Sequence, residues 1–465
     1  MKAFLAFGWE PEWDVQSILE SGYISDTRTV FSGVKKIRAG HYLVLQGFEN
    51  VTQQEYWEID YPQKHQLGDA KDSTANINCY SIKFMDDEYD EEPIAQRTAE
   101  WLGVKMHVVR MTEDEFVKNY SDAAWHTEFP MLDLNFIGKV ALSRLTRETG
   151  VKVILTGEGS DEQFAGYQNY LADFVREPDY ATPNRQLPED VRIAKSAEED
   201  QPTTKSTLTK FPIANSPSTL KARRQVNNVS IVGITGFISF DSYFSQWTKD
   251  EHGTADPRGV VVHNSFSGTI RQKIMTSWHP LHASMYIWQR IFLANVLLTA
   301  LGDRVEMSNS IEGRQPFLDH NLTEYVNGLP PTMKLRYDPE TGAFNEKYIL
   351  KEAARPFITD ELYRRRKHPF SAPLKYEKNG PLHQYLGGLM TRENVEKLGF
   401  LDWEKCKGLV EDGFIKEDAA QIRRLFQITQ LIEIGKRFGV KRARPEFAVE
   451  DEELGAPLEL TQSRL

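Results

Sequence analysis

The pattern of apolar and polar positions changes along the chain, and the changes predict where one domain ends and the next begins. Residues 1 to about 62 carry short apolar runs such as residues 40–45, which follow a turn and are typical of a β-strand. We therefore expect a small β-rich domain over residues 1–62. Residues 62–78 are polar and have no periodic pattern, which favours a linker.

Strand-like and helix-like segments alternate after residue 78. Residues 79–84 and 104–109 have the apolar pattern of strands, and the segment between them has a helical pattern. Pro93 suits the first turn of that helix, and Gly103 suits its end. Strands that alternate with helices predict the α/β fold class, in which a parallel sheet is wrapped by helices.

The next strand and the turn after it carry the strongest functional signal. Residues 151–155 form a β-branched apolar run, which predicts a strand buried on both faces. Gly157 and Gly159 follow it, and glycines allow a sharp turn that approaches a ligand closely. A strand, a glycine turn and a helix N-terminus together attract phosphate or an adenylate.

The residues after this turn predict a helix and a particular chemistry. Ser160 or Asp161 is predicted to cap a helix that continues through Tyr167. Glu158 and Asp161 place carboxylates at the mouth of the site, and these would repel phosphate unless Mg²⁺ or a general-base step requires them. The alternative is an ordinary strand-to-helix turn whose acids only cap the helix.

Three other segments have distinctive compositions. Residues 176–254 are rich in Pro, Ser, Thr, Asn and charged residues, which predicts a long, partly disordered insertion. Residues 283–301 form the most apolar long segment, and the polar side chains within it favour a buried helix over a membrane span. Residues 449–465 form an acidic tail that we expect to be loose.

Charge and cysteine content narrow the function classes. The formal net charge of −11 argues against a nucleic-acid partner, which would require a basic face. A run of four cations at residues 364–367 remains, and such a run is usually a solvated surface. The alternatives are contact with nucleic acid and a lysine that neutralises a leaving pyrophosphate. Only Cys79 and Cys406 are present, so a reducing, cytoplasmic compartment is expected. The apolar run at residues 1–7 is too short for a secretory leader.

Five separated strings resemble the asparagine synthases of the glutamine-hydrolysing type. They are SGYISDTRTVFSGVKKIRAGHYLVL, CYSIKF, LTGEGSDEQFAGY with Ala165 in place of a usual glycine, DRVEMSNSIEGRQPFLD and RRRKHPFSAP. The resemblance implies a synthetase domain of the adenine nucleotide alpha-hydrolase type over residues 63–448. It also implies that residues 1–62 are the remnant of an N-terminal-nucleophile glutaminase domain.

The resemblance implies ATP and Mg²⁺ as cofactors and a nucleotide site. In such a site Ile82 would pack on the adenine. Thr156 and Gly157 would contact the nucleotide through their backbone groups, and Asp161 would be a Mg²⁺ ligand. The substrates would be a small carboxylic acid, which is aspartate or another acid, and ammonia or an amine. We expect the protein to have no membrane partner and to form a homodimer.

The resemblance also implies catalytic roles. Glu158 would be the base that accepts a proton from the attacking ammonia, and Lys367 would stabilise the charge that develops on the phosphates. Arg314 would help to order the nucleotide site without being the reacting group. These roles agree with the chemistry, because adenylation requires cations near pyrophosphate and attack by an amine requires a general base.

Two departures from the family pattern limit what can be expected. Position 2 is Lys rather than the nucleophilic cysteine of the glutaminase domain, so glutaminase activity is not expected. The chain also has no Ser-Gly-Gly-x-Asp-Ser pyrophosphate loop, and the place where it would belong lies near residues 68–70. An error in the predicted coding sequence of the gene would account for both departures.

Three functional hypotheses follow. The first is an asparagine-synthase-like, ATP-dependent amide ligase that lacks glutaminase activity and has an incomplete ATP site. The second is a tailoring ligase that amidates another acid. The third is a pseudoenzyme, a binding or regulatory protein that has kept the fold and lost catalysis.

We predict that this chain binds ATP·Mg²⁺ only weakly, because the pyrophosphate loop is absent. Loss of the strand before that loop also leaves backbone groups unpaired, at about 1–3 kcal/mol each. Isothermal titration calorimetry with ATP and Mg²⁺ measures the affinity directly. A micromolar dissociation constant would contradict the prediction.

Overall fold

The computed structural model describes residues 1–46, 50–59, 79–84, 91–182, 187–199, 217–231, 241–253, 256–365 and 372–446. The predicted linker at residues 62–78, the acidic tail at residues 449–465 and Lys367 lie outside these ranges. Those three predictions therefore remain predictions.

The strands pair two by two. They are β1 (His41–Gln46), β2 (Asn50–Glu55), β3 (Cys79–Phe84), β4 (Met106–Met111), β5 (Val153–Leu155), β6 (Glu312–Arg314), β7 (Arg336–Asp338) and β8 (Ala343–Asn345). The pairs β1–β2 and β7–β8 are antiparallel, whereas β3–β4 and β5–β6 are parallel. Within the described ranges no strand joins β3 to β5, so the predicted parallel sheet is present as two separate parallel pairs.

Helices form most of the remaining regular structure. Those before β6 are α1 (Lys2–Ala6), α2 (Val15–Leu19), α3 (Gly22–Ser25), α4 (Glu92–Leu102), α5 (Glu113–Thr127), α6 (Asn135–Glu148), α7 (Ser160–Gln163), α8 (Asn169–Phe174), α9 (Glu189–Glu199), α10 (Pro217–Arg224), α11 (Gln246–His252), α12 (Pro257–Ser265), α13 (Gly268–Thr276), α14 (Pro280–Trp288) and α15 (Arg304–Glu306). Those after β6 are α16 (His320–Asn327), α17 (Pro331–Lys334), α18 (Tyr348–Ala354), α19 (Asp360–Arg364), α20 (Pro381–Leu389), α21 (Arg392–Leu398), α22 (Trp403–Cys406), α23 (Leu409–Phe414) and α24 (Ala419–Phe438). A π-helical segment, Gln289–Asp303, joins α14 to α15.

The predicted ends of the helix that connects β3 to β4 are confirmed. Pro93 lies in the first turn of α4, and Gly103 ends the helix with a φ of +67°. Thr112 then caps α5, because its side-chain oxygen accepts a hydrogen bond from the backbone N–H of Glu115. This strand–helix–strand unit is a parallel one, as the alternation of segments predicted.

The strand predicted at residues 151–155 is shorter and more open than the sequence suggests. Only Val153–Leu155 pair as a strand, and Val153 and Leu155 are 43% and 48% exposed. The prediction of a strand buried on both faces is therefore wrong. The physical reason is that, among the described residues, β5 has a strand neighbour on one side only, so the other side borders open space.

The main apolar core surrounds α24 and the long helix that begins with α14. Gln430 of α24 is fully buried, and its amide exchanges hydrogen bonds of 2.8 and 2.9 Å with both backbone groups of Met131. Pro280–Asn309 is the one helix in the described ranges that is long and apolar enough to cross a membrane, by length and composition, and 56% of its most apolar window is buried inside the protein. Tyr286, Ile287 and Ile291 of this helix belong to the core, which agrees with the predicted buried helix.

The N-terminal segment matches its prediction only in part. The helices α1 to α3 precede the β1–β2 hairpin, so residues 1–59 are not predominantly β-structure. Trp13 stacks on Phe31 with ring centroids 6.0 Å apart, and Phe31 packs against Phe438 of α24. This segment therefore packs against the core of the larger domain.

The predicted insertion at residues 176–254 contains ordered structure wherever it is described. The helices α9, α10 and α11 lie within it, and Val226, Val229 and Ile231 are almost completely buried in the main core. Val226, Val229 and Ile231 therefore pack as part of the core, whereas α9 is largely solvent-facing and its Ile193 is 55% exposed.

We predict that the two cysteines differ in reactivity. Cys79 lines the open space beside β3, whereas Cys406 is fully buried and burial raises the pKa of its thiol to about 12. Because only the thiolate reacts, iodoacetamide at neutral pH should modify Cys79 and leave Cys406 intact until the protein unfolds. Mass spectrometry of tryptic peptides measures both reactions, with urea-unfolded protein as the control. Protection of Cys79 in the folded protein would contradict the open space between β3 and β5.

Candidate active site

The turn after β5 is built by one backbone hydrogen bond and one glycine. The N–H of Thr156 donates to the carbonyl of Arg314 at 2.8 Å, which extends the β5–β6 pairing past the end of the strand. Gly159 has a φ of +94°, and a Cβ atom there would lie only 2.3 Å from the side chain of Leu318. Glycine therefore fits at this position without a shift of its neighbours.

The helix after the turn is shorter than predicted, and it is capped differently. Gly159 occupies the N-cap position without a side-chain hydrogen bond, so the predicted caps by Ser160 or Asp161 are wrong. The helix α7 ends at Gln163, because Ala165 adopts a left-handed φ of +55° that a right-handed helix cannot contain. Ala165 stands where the family usually has a glycine, the residue for which this conformation has no steric cost.

Each carboxylate at the mouth of the site is held by a lysine from a distant element. The ammonium of Lys139, on α6, lies 3.0 Å from Glu158 Oε1 and 3.6 Å from Glu306 Oε1. The ammonium of Lys347, just before α18, lies 2.9 Å from Asp161 Oδ1 and donates to Ser160 Oγ at 3.0 Å. These side chains are largely buried, so water screens the pairs less than it screens surface pairs.

A third acid lies beneath the other two. Glu162 is 1% exposed, and the hydroxyl of Tyr167 donates to its Oε1 at 2.6 Å. Burial raises the pKa of Glu162 above its usual value, and the charges of Asp161 and Glu158 raise it further, while the Tyr167 hydrogen bond opposes both. The surroundings of Glu162 therefore disfavour its charged form relative to a glutamate in water.

A cavity of about 850 Å³ separates β3 from β5 and opens beside this turn. Its walls include the predicted site residues Ile82, Thr156, Gly157, Glu158 and Asp161. The chain passes from β3 outward to β4, and then returns to β5, which pairs with β6 on its other side. In parallel α/β structures ligands bind at such a reversal, beyond the carboxyl ends of the strands.

Five of the seven predicted site residues line the cavity, and Arg314 does not. The side chain of Arg314 is 63% exposed, and its Nε lies 2.8 Å from Glu312 Oε1, so this residue supports the turn through its backbone carbonyl instead. Lys367 lies outside the described residues. The assigned chemical roles of all seven residues remain predictions.

The described residues fit a site that binds ATP better than they fit a metal site built from protein ligands alone. The hydroxyl of Thr156 is buried at the end of β5, and no hydrogen-bond partner for it is found among the described residues. The described ranges contain no cluster of three or more His, Cys, Asp or Glu side chains of the kind that holds a metal ion. Mg²⁺ is usually bound by one or two carboxylates together with substrate phosphates, and Asp161 fits that mode of binding.

Three residues of the site are missing from the sequence-based prediction. Lys139, Lys347 and Glu306 contact the site through side chains, and each is far in sequence from the turn at residues 156–162. Their only local signal is that Lys139 lies in the helix that leads into β5 and that Glu306 lies within the DRVEMSNSIEGRQPFLD string.

We predict that Gly166→Ala opens the Asp161–Lys347 pair. A Cβ atom at position 166 would lie 2.0 Å from Asp161 Oδ1 and 2.3 Å from Lys347 Cε, so both side chains must move. Urea unfolding should show a loss of about 1–3 kcal/mol, the usual cost of overpacking. The control is Gly388→Ala, in an exposed part of α20 with no atom near the added methyl group, and it should gain about 1 kcal/mol. Equal effects of the two substitutions would contradict the tight packing at Gly166.

Comparison with known proteins identifies relatives. The sequence profile of the asparagine synthase family matches residues 67–432. An amidase of Penicillium rubens, chyE, is 36% identical over 502 aligned positions, which cover 95% of this chain and 74% of the relative. An amidase of Gibberella zeae, chry2, is 34% identical with the same coverage. A glutamine-hydrolysing asparagine synthetase of Bacillus subtilis is 22% identical over 79% of this chain and 54% of its own length.

The alignment with the Penicillium protein is longer than the 465 residues of this chain, so the relative has residues at positions where this chain has none. The profile match covers most of the chain, including both parallel strand pairs and the turn that carries Glu158. Membership of this family supports a ligase-type enzyme. The chain belongs to the asparagine synthase family.

Proposed function

We propose that this protein is an ATP-dependent ligase that joins a small carboxylic acid to ammonia or an amine. The observation that carries the proposal is the pair of lysine-held carboxylates, Glu158 and Asp161, on the wall of the cavity that Ile82 also lines. Family membership supports the same reaction class.

The proposed reaction has two steps. The carboxylate of the acid attacks the α-phosphorus of ATP, an acyl-adenylate forms and pyrophosphate leaves. The amine nitrogen then attacks the acyl carbon, the bond from that carbon to the AMP oxygen breaks, and Glu158 accepts the proton that the nitrogen loses. Ile82 would support the adenine, and Thr156 and Gly157 would contact the nucleotide through their backbone groups.

The other charged groups have separate proposed roles around the phosphates of ATP. Mg²⁺ bound with the nucleotide would neutralise phosphate charge, and Asp161 is the carboxylate placed to hold it. Lys367 would face the leaving pyrophosphate, and Arg314 supports the turn through its carbonyl. The missing pyrophosphate loop makes binding of ATP weak, so activity is expected only at millimolar ATP.

A second candidate function differs only in the acid. The relatives with 36% and 34% identity are both named amidases, whereas the asparagine synthetase of Bacillus subtilis is 22% identical. This difference favours a tailoring ligase that amidates an acid other than aspartate. Purified protein with millimolar ATP, Mg²⁺, ammonium and a panel of acids tests both candidates. AMP with asparagine supports the first, AMP only with another acid supports the second, and no AMP supports a pseudoenzyme.

We predict that Glu158→Gln abolishes amide formation and spares adenylation. The amide side chain keeps the size of glutamate but cannot accept the proton, so amide formation should fall by about 10²–10⁴-fold. Exchange of labelled pyrophosphate into ATP reports adenylation separately and should persist. Glu148→Gln, at the exposed end of α6, is the matched control and should leave both readouts unchanged. Normal amide formation by the Glu158→Gln protein would refute the proposed role.

A further inference from the structure

We infer that Lys139 and Glu306 form a positioning pair that orients Glu158 for catalysis and holds a cation beside its carboxylate. The inference rests on the proposed function, because it assigns the support of the base that the proposed reaction uses. It concerns two residues for which the sequence predicts no role, although Glu306 lies within the DRVEMSNSIEGRQPFLD string.

The geometry is a chain of three charged groups. Lys139 Nζ lies between two carboxylates, 3.0 Å from Glu158 Oε1 on the cavity wall and 3.6 Å from Glu306 Oε1 behind it. Burial increases along this chain, since the side chains of Glu158, Lys139 and Glu306 are 25%, 12% and 3% exposed. Glu306 therefore anchors the ammonium from the protein interior, and the ammonium reaches Glu158 from within the wall.

The packing around Glu306 leaves this carboxylate little freedom. A Cβ atom on Gly313 of β6 would lie 2.1 Å from Glu306 Oε2, so the carboxylate fills the space that the missing side chain leaves. Glu306 Oε2 has no hydrogen-bond partner among the described residues, so Lys139 is its main stabilising contact there. Burial raises the pKa of Glu306, and the charge of Lys139 opposes that shift.

The contact with Glu306 keeps the Lys139 ammonium paired during the proposed reaction. When Glu158 accepts a proton from the amine, its negative charge disappears, and an ammonium paired with Glu158 alone would become a partly buried, unpaired charge. Glu306 remains beside Lys139 throughout, so the ammonium keeps a partner before and after the proton transfer.

The test uses a readout that does not need turnover. Carbodiimide with glycine ethyl ester modifies protonated carboxyl groups, and mass spectrometry across a pH series gives the pH at which Glu158 is half modified. Lys139→Met should raise this midpoint by about one pH unit, because removal of a neighbouring cation favours the protonated carboxyl. Lys139→Arg should return the midpoint towards that of the unchanged protein. Glu306→Gln should lower it, because this substitution removes a neighbouring negative charge and leaves Lys139 paired with Glu158 alone.

The control is Lys118→Met, which removes an exposed lysine 3.2 Å from Glu115 on α5 and should leave the Glu158 midpoint unchanged. Circular dichroism checks that each variant is folded. If Lys139→Met does not fold, the Glu158 midpoint is measured in Glu306→Gln instead. An unmoved midpoint in the folded variants would overturn the inference, even if the unchanged protein makes amides. A midpoint that moves as expected in a protein that makes no amide would support the positioning pair and count against the proposed function.

Discussion

The site depends on two lysine–carboxylate contacts that cross between distant parts of the chain. The turn after β5 places Glu158 and Asp161 within four residues of each other, above the buried Glu162. Two carboxylates on one short turn carry like charges and repel each other. Lys139 and Lys347 each neutralise one carboxylate at about 3 Å, and the turn keeps its shape.

The same contacts connect the fold to the proposed chemistry. Lys139 lies on α6, the helix that leads into β5, and Lys347 lies just before α18, which follows the β7–β8 hairpin. Each lysine therefore ties the turn to an element that packs elsewhere in the protein. The cavity between the parallel pairs then has a wall of fixed charge on the β5 side. On the β3 side its lining is mostly uncharged, from Cys79 to Ile82.

Local signals predicted the parts of the fold that depend on neighbouring residues. Pro93 and Gly103 act at helix ends, where the physics is contained within a few residues, and the structure confirms both. The strand at β5 was predicted from its apolar run, but its burial depends on a strand neighbour that no local pattern can supply. The prediction that Ser160 or Asp161 caps α7 failed for a similar reason, since Gly159 takes the N-cap position and a Cβ atom there would meet the side chain of Leu318, which is distant in sequence.

The candidate site likewise contains residues that a local pattern predicts and residues that only tertiary contacts bring together. Thr156, Gly157, Glu158 and Asp161 are neighbours in sequence, so one motif finds all four, and Ile82 joins them through the resemblance of its strand. Lys139, Lys347 and Glu306 reach the site only through tertiary contacts. A single sequence contains no signal that pairs a lysine with a carboxylate 19 or 186 positions away.

The most direct measurement of where the nucleotide binds is photolabelling with 8-azido-ATP at millimolar concentration, followed by peptide mapping and competition with unlabelled ATP. The azido group sits on the adenine, so a nucleotide in the cavity should label the peptide that contains Ile82, and excess ATP should suppress the labelling. Labelling confined to peptides remote from β3 and β5 would contradict a nucleotide site between these strands.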